Sequence, residues 1–150
     1  MKKFFLLVVA AVMLSASTLF AEAYETTVSY KIKAAFDESF TGAKDVKWYT
    51  EDNKTFTAKF TISNNKVTAF FDTNGDLLAT SRYIQQENLP LQVINSMMKK
   101  YPDNNVYCVV EYTSGTNVVY MITLVDDQYW TVLRADTAGN LKQFSRLKKA

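Results

Sequence analysis

DTNGDLLATSR, residues 72–82, returns 64 positions later as DTAGNLKQFSR, residues 136–146. Both stretches open on an aspartate, reach a glycine three residues on and continue into a run with strand character. Asn74–Gly75 and Ala138–Gly139 read as hairpin turns, because glycine adopts positive φ at little steric cost and asparagine tolerates it. The correspondence extends upstream. Phe56, Ala58 and Phe60 fall 64 residues before Tyr120, Ile122 and Leu124. A match at an offset of 61 sets Ile32, Phe36 and Phe40 over Val93, Met97 and Tyr101. The chain reads as one structural unit written twice, about 24–87 and about 88–150.

Each unit opens with a helical pattern. In TTVSYKIKAAFDESF the apolar residues Val28, Ile32, Ala35, Phe36 and Phe40 recur three and four apart, which makes one stripe for a core. Thr26 or Thr27 is expected to cap this helix, and Gly42 to stop it. In NLPLQVINSMMKKY the stripe is Leu89, Val93, Ile94, Met97 and Tyr101. Pro90 is tolerated in its first turn, and Pro102 helps to end it. The first unit then continues with VKWYT, TFTAKFTI, KVTAFFD and LLATSRYI, and the second with VYCVVEYT, VVYMITLV, YWTVLRAD and LKQFSRLK. Phe56, Ala58, Phe60 and Ile62 alternate with Thr55, Thr57, Lys59 and Thr61, the mark of a sheet with one packed and one polar face. Turns are expected at Asp52–Asn53, Asn64–Asn65, Ser114–Gly115 and Asp126–Asp127.

The fold class expected is α+β. A tandem repeat of one helix plus a four-stranded antiparallel meander builds an eight-stranded sheet, with the helices on one face and the other face open. Strand parity then assigns residues to the open face. Phe70 stands there with Lys66 and Thr68, opposite in parity to Val67, Ala69 and Phe71. The second unit contributes Trp130, Val132 and Arg134, together with Met121 and Thr123. Phe144 and Arg146 come from the last strand, and Arg82 from its counterpart in the first unit. Large aromatics and arginines among threonines suit a protein-binding surface. A solvated face, or packing against a second copy of the chain, fits the same pattern. A bulge would reverse any of these assignments.

The N-terminus carries a different signal. Lys2 and Lys3 precede an uninterrupted apolar run, 4–14, and the small-residue region SASTLFAEA. This has the form of a signal peptide cut after Ala23, or secondarily after Ala21, and is too short to span a bilayer. The mature chain of about 127 residues suffices for one compact domain in the periplasm or outside the cell, with no stable membrane insertion. The formal charge is +2, or +1 without Lys2, Lys3 and Glu22, too weak a bias to suggest nucleic acid or an anionic surface as a partner. Cys108 is the only cysteine, so no disulfide can form within the chain; in VYCVVEY it reads as a small buried hydrophobe.

Enzymatic constellations are scarce. The absence of histidine excludes histidine-based acid–base chemistry, Ser–His–acid triads and histidine-ligated metals. Glu51–Asp52 and Asp126–Asp127 have the setting of solvated turns, and the four glycines form no phosphate-cradling loop. DTNGD resembles a calcium loop only superficially, since its glycine comes fourth and a strand follows where the bidentate glutamate belongs. No catalytic residue, metal ligand or cofactor is assigned.

With two units in place, the sequence resembles the secreted PepSY-like, beta-lactamase-inhibitor-like domain family of Bacteroidota. The resemblance rests on VKWY at 46–49, AFFDTNGDLLATSRYI at 69–84, Leu89–Pro90 leading into a helix that ends at Tyr101–Pro102, and YWTVLRADTAGNL at 129–141. It implies tandem helix-plus-sheet repeats laid out like the beta-lactamase inhibitory protein, whose open sheet face grips an enzyme. It further implies a non-catalytic periplasmic or secreted binding protein, with an unidentified protein or peptide of the cell envelope as partner. Inhibition of an envelope enzyme would be one form of that binding. The alternative is a structural or sensory envelope protein that takes a small ligand or peptide. The inhibitor's own contact residues match no position here.

Overall fold

The structure, a computed structural model, describes residues 23–150. The expected signal peptide lies outside the described residues except for Ala23. Nine strands are hydrogen-bonded in chain order in an antiparallel sheet. The ninth, beyond the eight expected, is a two-residue strand at the start. The described residues divide into two compact units, one ending at Ser81 and the other beginning at Arg82.

The first unit contains β1 (Tyr24–Glu25), α1 (Tyr30–Ser39), β2 (Lys44–Thr50), β3 (Thr55–Ile62), β4 (Asn65–Asp72) and the start of β5 (Leu77–Ile84). The helix begins later than expected. Thr26 still donates its amide to the Trp48 carbonyl at 2.9 Å, which holds the chain extended. Ser29 therefore caps α1, its hydroxyl accepting from the Ile32 amide at 3.4 Å. The buried face of α1, Ile32 and Phe36, packs on Ala58, Phe60, Ala69 and Phe71. Ala58 and Ala69 are cross-strand partners, and their small side chains leave room for rings from the helix. Phe36 fills it, edge-on to Phe60 at 4.9 Å and to Trp48 at 5.4 Å. Each such buried ring contributes about 1.5–3 kcal/mol by leaving water.

The second unit contains a short 3₁₀ turn (Gln86–Asn88), α2 (Leu91–Lys100), β6 (Asn105–Ser114), β7 (Asn117–Val125), β8 (Tyr129–Asp136) and β9 (Leu141–Lys148). Its core is largely aliphatic: Leu89, Val93 and Met97 pack on Val109, Tyr120, Ile122, Leu124, Leu133 and Ala135. The two helices end alike. Phe40 caps α1 at φ −131°, ψ 56° and Tyr101 caps α2 at φ −136°, ψ 55°. Their amides reach back to Phe36 and Met97 respectively.

The opening motif does the same local work in both units. Asp72 Oδ1 accepts from the amides of Asn74 and Asp76, and Asp136 Oδ1 from those of Ala138 and Asn140. The carboxylates thus hold their own turns together. Gly75 at φ +81° lies against the Lys31 carbonyl, and Gly139 at φ +86° against that of Gln92. Each glycine lets a turn close onto the first turn of its unit's helix. The β3–β4 hairpin sits one residue earlier than expected, with positive φ at Ser63 and Asn64.

Candidate partner-binding face

Cross-strand partners in a sheet project from the same side, so register decides which residues share the face opposite each helix. In the second unit Val125 pairs with Trp130, Thr123 with Val132, Met121 with Arg134 and Val119 with Asp136. Their neighbours in sequence, Tyr120, Ile122 and Leu124, belong to the core beneath α2. Trp130, Val132 and Arg134 therefore stand on the open face, as parity predicts. β9 adds Leu147 beside Trp130. β6 adds Tyr107, which meets Trp130 edge-on at 4.9 Å and 84°.

Tyr107 is 66% exposed and Leu147 64%, and with half-buried Trp130 they make a continuous apolar patch. Lys149 Nζ lies 5.4 Å from the Trp130 ring. Neither Tyr107 nor Leu147 was legible from strand parity, because both depend on bulges. Tyr107 is the extra residue between Val106 and Cys108 on β6. The break in alternation within VYCVV was the available signal.

The β9 bulge corrects two further expectations. Ser145 pairs with Val132 but Gln143 pairs with Leu133, so Phe144 is left over and joins neither row. Beyond it the parity is reversed. Arg146 pairs with Thr131, which stands with the core-facing residues, and not with the open face. There its guanidinium stacks on Tyr129 at 3.8 Å. Arg82 is likewise on the helix side: its Nε donates to Glu111 Oε1 at 2.7 Å, and Glu111 is the cross-strand partner of buried Tyr120.

The remaining expected residues keep their face but differ in access. Met121 is on the open face yet only 8% exposed, so its neighbours cover most of it. Arg134 is half-buried, and its Nε is buried without a hydrogen-bond partner among the described residues. Phe70 pairs with Thr57 on the open side of the first unit and is half-buried. Cys108 also differs from expectation. It pairs with Thr123 on the open face and is only partly buried.

The site's electrostatics belong to its turns. The amides of Gln128 and Tyr129 hold the Asp126 carboxyl below the usual range, helped by the Asn104 side chain. The Asn140 side-chain amide does the same for Asp136. Burial pushes the Tyr112 phenol up. Among the described residues no group of three His, Cys, Asp or Glu side chains could hold a metal ion. No helix among them is long and apolar enough to cross a membrane.

Comparison with solved structures decides the fold. A BLIP-like protein of Bacteroides fragilis superimposes with a TM-score of 0.72 at 19% identity, covering 83% of this chain and 90% of that one. The fold is BLIP-like. The same BLIP-like layout is found in a DUF2874 family protein of Bacteroides ovatus, with a TM-score of 0.71, 16% identity and coverage of 82% and 89%. A proposed periplasmic protein of Bacteroides eggerthii gives 0.70, 12%, 82% and 90%. No family model matches the sequence, and no curated protein does.

Proposed function

We propose that this chain is an exported, non-catalytic binding protein that engages a protein of the cell envelope through the open sheet face of its second unit. One observation carries the reading: Trp130, Tyr107 and Leu147 form an apolar patch on the side away from the core, with two of the three largely exposed. Aromatic anchors of this kind dominate the energetics of many protein interfaces, whereas an isolated exposed apolar residue signifies little. Export rests on the N-terminal sequence, and the BLIP-like fold suggests restraint of an envelope enzyme as the form the binding takes.

The experiment is affinity capture from native envelope with residues 24–150 as bait, run beside Trp130→Ala and Tyr107→Ala. A partner held by the parent and lost by both variants, with melting temperatures close to the parent's, supports the reading. A partner retained by both variants removes this patch as the contact.

A further inference from the structure

The first unit presents an open face of different chemistry. Register aligns successive rows across β2, β3 and β4 on the side away from α1. Lys44, Thr61 and Lys66 make one row, and Lys47, Lys59 and Thr68 the next. Tyr49, Thr57 and Phe70 make a third, which Glu25 of β1, the cross-strand partner of Tyr49, extends at its edge. All four lysines are exposed. Lys47 stands directly across from Lys59, an arrangement that repels, since stems in such a pair are about 5 Å apart. Among the described residues no carboxylate forms an ion pair with any of the four; the pair that does form, Arg82 with Glu111, lies in the other unit. Lys59 Nζ instead lies 5.0 Å from the centroid of the Tyr49 ring. That contact tethers the charge over the face without neutralising it.

We propose that these rows dock an acidic protein segment in extended conformation. It runs along the strands, with carboxylates over the two lysine rows and an apolar side chain over Tyr49 and Phe70. Alternate residues of an extended chain lie about 7 Å apart, which is also the step from one row to the next. The matching segment therefore reads acidic, any, acidic, any, apolar. The third row selects a protein over an anionic bilayer. Tyr49 and Phe70 are half-buried among their neighbours, so their rings cover the sheet and do not project as a lipid-inserting tip would. The ammonium groups are compact charges on flexible stems, suited to carboxylates without a fixed orientation. This surface belongs to the first unit alone and does not rest on the role given to Trp130.

The test titrates residues 24–150 with poly-L-glutamate at about 20 mM ionic strength and follows backbone amide shifts by NMR. Binding should concentrate shifts in β2, β3 and β4. It should weaken severalfold at about 150 mM salt, where exposed charges are screened over about 8 Å. Lys47→Gln/Lys59→Gln should lower affinity about tenfold, while Lys148→Gln/Lys149→Gln and Trp130→Ala leave it within about twofold. Lys44→Gln/Lys66→Gln, a pair flanking Thr61, is held to the same tenfold expectation. Both pairs of lysine variants binding like the parent would overturn the proposal. So would shifts outside β2–β4, or binding to phosphatidylglycerol vesicles without binding to poly-L-glutamate.

Discussion

Gly139 lies against Gln92 so closely that a Cβ added to it would stand 2.6 Å from the Gln92 carbonyl oxygen. The equivalent distance from Gly75 to the Lys31 carbonyl is 3.2 Å. Both glycines are also at positive φ, where an L side chain is strained by about 1–2 kcal/mol. Gly139→Ala adds a backbone clash that neither partner can relieve by rotating a side chain, so its loss should reach about 3 kcal/mol or more. Gly75→Ala should be milder, and Gly115→Ala, with open space around it, milder still. Urea denaturation of the three variants checks the order, and an equal loss in all three would contradict it.

Acid should loosen the turns. Asn140, then local backbone amides, hold the Asp136 carboxyl below its ordinary value of 3.8 against the opposing effect of burial. The amides of Gln128 and Tyr129 act in the same direction on Asp126. A carboxyl whose folded pKa is depressed leaves the unfolded state binding more protons, so stability rises with pH through this range. The contribution is full above about pH 4 and is lost as pH falls below it. Without histidine, no imidazole adds a transition between about pH 5 and 8. Asp126→Asn/Asp136→Asn should flatten the decline below about pH 4, as read by thermal melting across a pH series.

Trp130→Ala separates surface from core. Leu133, its near neighbour on the same strand, is fully buried under α2, and Leu133→Ala should destabilise by about 2–5 kcal/mol. Trp130 belongs to no core cluster and stands on the opposite side of β8. Its truncation should lower stability by roughly 1 kcal/mol, chiefly through the lost contact with Tyr107. Melting of both variants would show the difference, and equal losses would mean that Trp130 supports the fold after all.

The Arg82–Glu111 pair is short at 2.7 Å, but the arginine side chain is half exposed. Solvent screening limits such a pair to about 0.2–1 kcal/mol. Arg82→Ala should cost no more than that, and less at high salt. A double-mutant cycle with Glu111→Ala, repeated in about 1 M NaCl, measures the coupling and its screening.

Cutting the chain between the units would break a strand. β5 runs from Leu77 to Ile84, across the division at Ser81 and Arg82. Ala79 is buried near its start, while Ile84 packs on the core of the second unit. The two repeats are expected to fold as one domain. Residues 24–87 and 88–150, expressed separately, should each denature with low cooperativity, and two native-like cooperative halves would argue for independent domains.

Helix stripes and strand segments were legible because their periods are unbroken. Ile32 and Phe36, or Val93 and Met97, repeat at helical spacing and are buried as expected. Alternation in Thr55–Ile62 likewise gives the right residues to the right face. Legibility failed where one extra residue enters a strand. Nothing in LKQFSRLK announces that Phe144 is unpaired, so simple alternation puts Arg146 on the wrong side and hides Leu147. Arg82 stands on the side of Glu111, 29 residues away in sequence, and nothing within LLATSRYI announces that neighbour. Met121 shows that parity gives side but not access.

The irregularity at Phe144 also bears on how the protein lives at high concentration. A long, even outer strand offers a row of unsatisfied amides and carbonyls that another chain can extend, the first step towards fibres. Among the described residues β9 pairs with β8 alone. Its hydrogen-bonding row is interrupted by the extra residue, and it is bracketed by Lys142 and Lys148. At the other end of the strand order, two-residue β1 covers only Tyr49 and Thr50 of β2, and Lys44 and Lys47 stand on the part it leaves uncovered. An incoming strand would find a template out of step along β9. The second unit thus carries its own guard against polymerisation along its last strand.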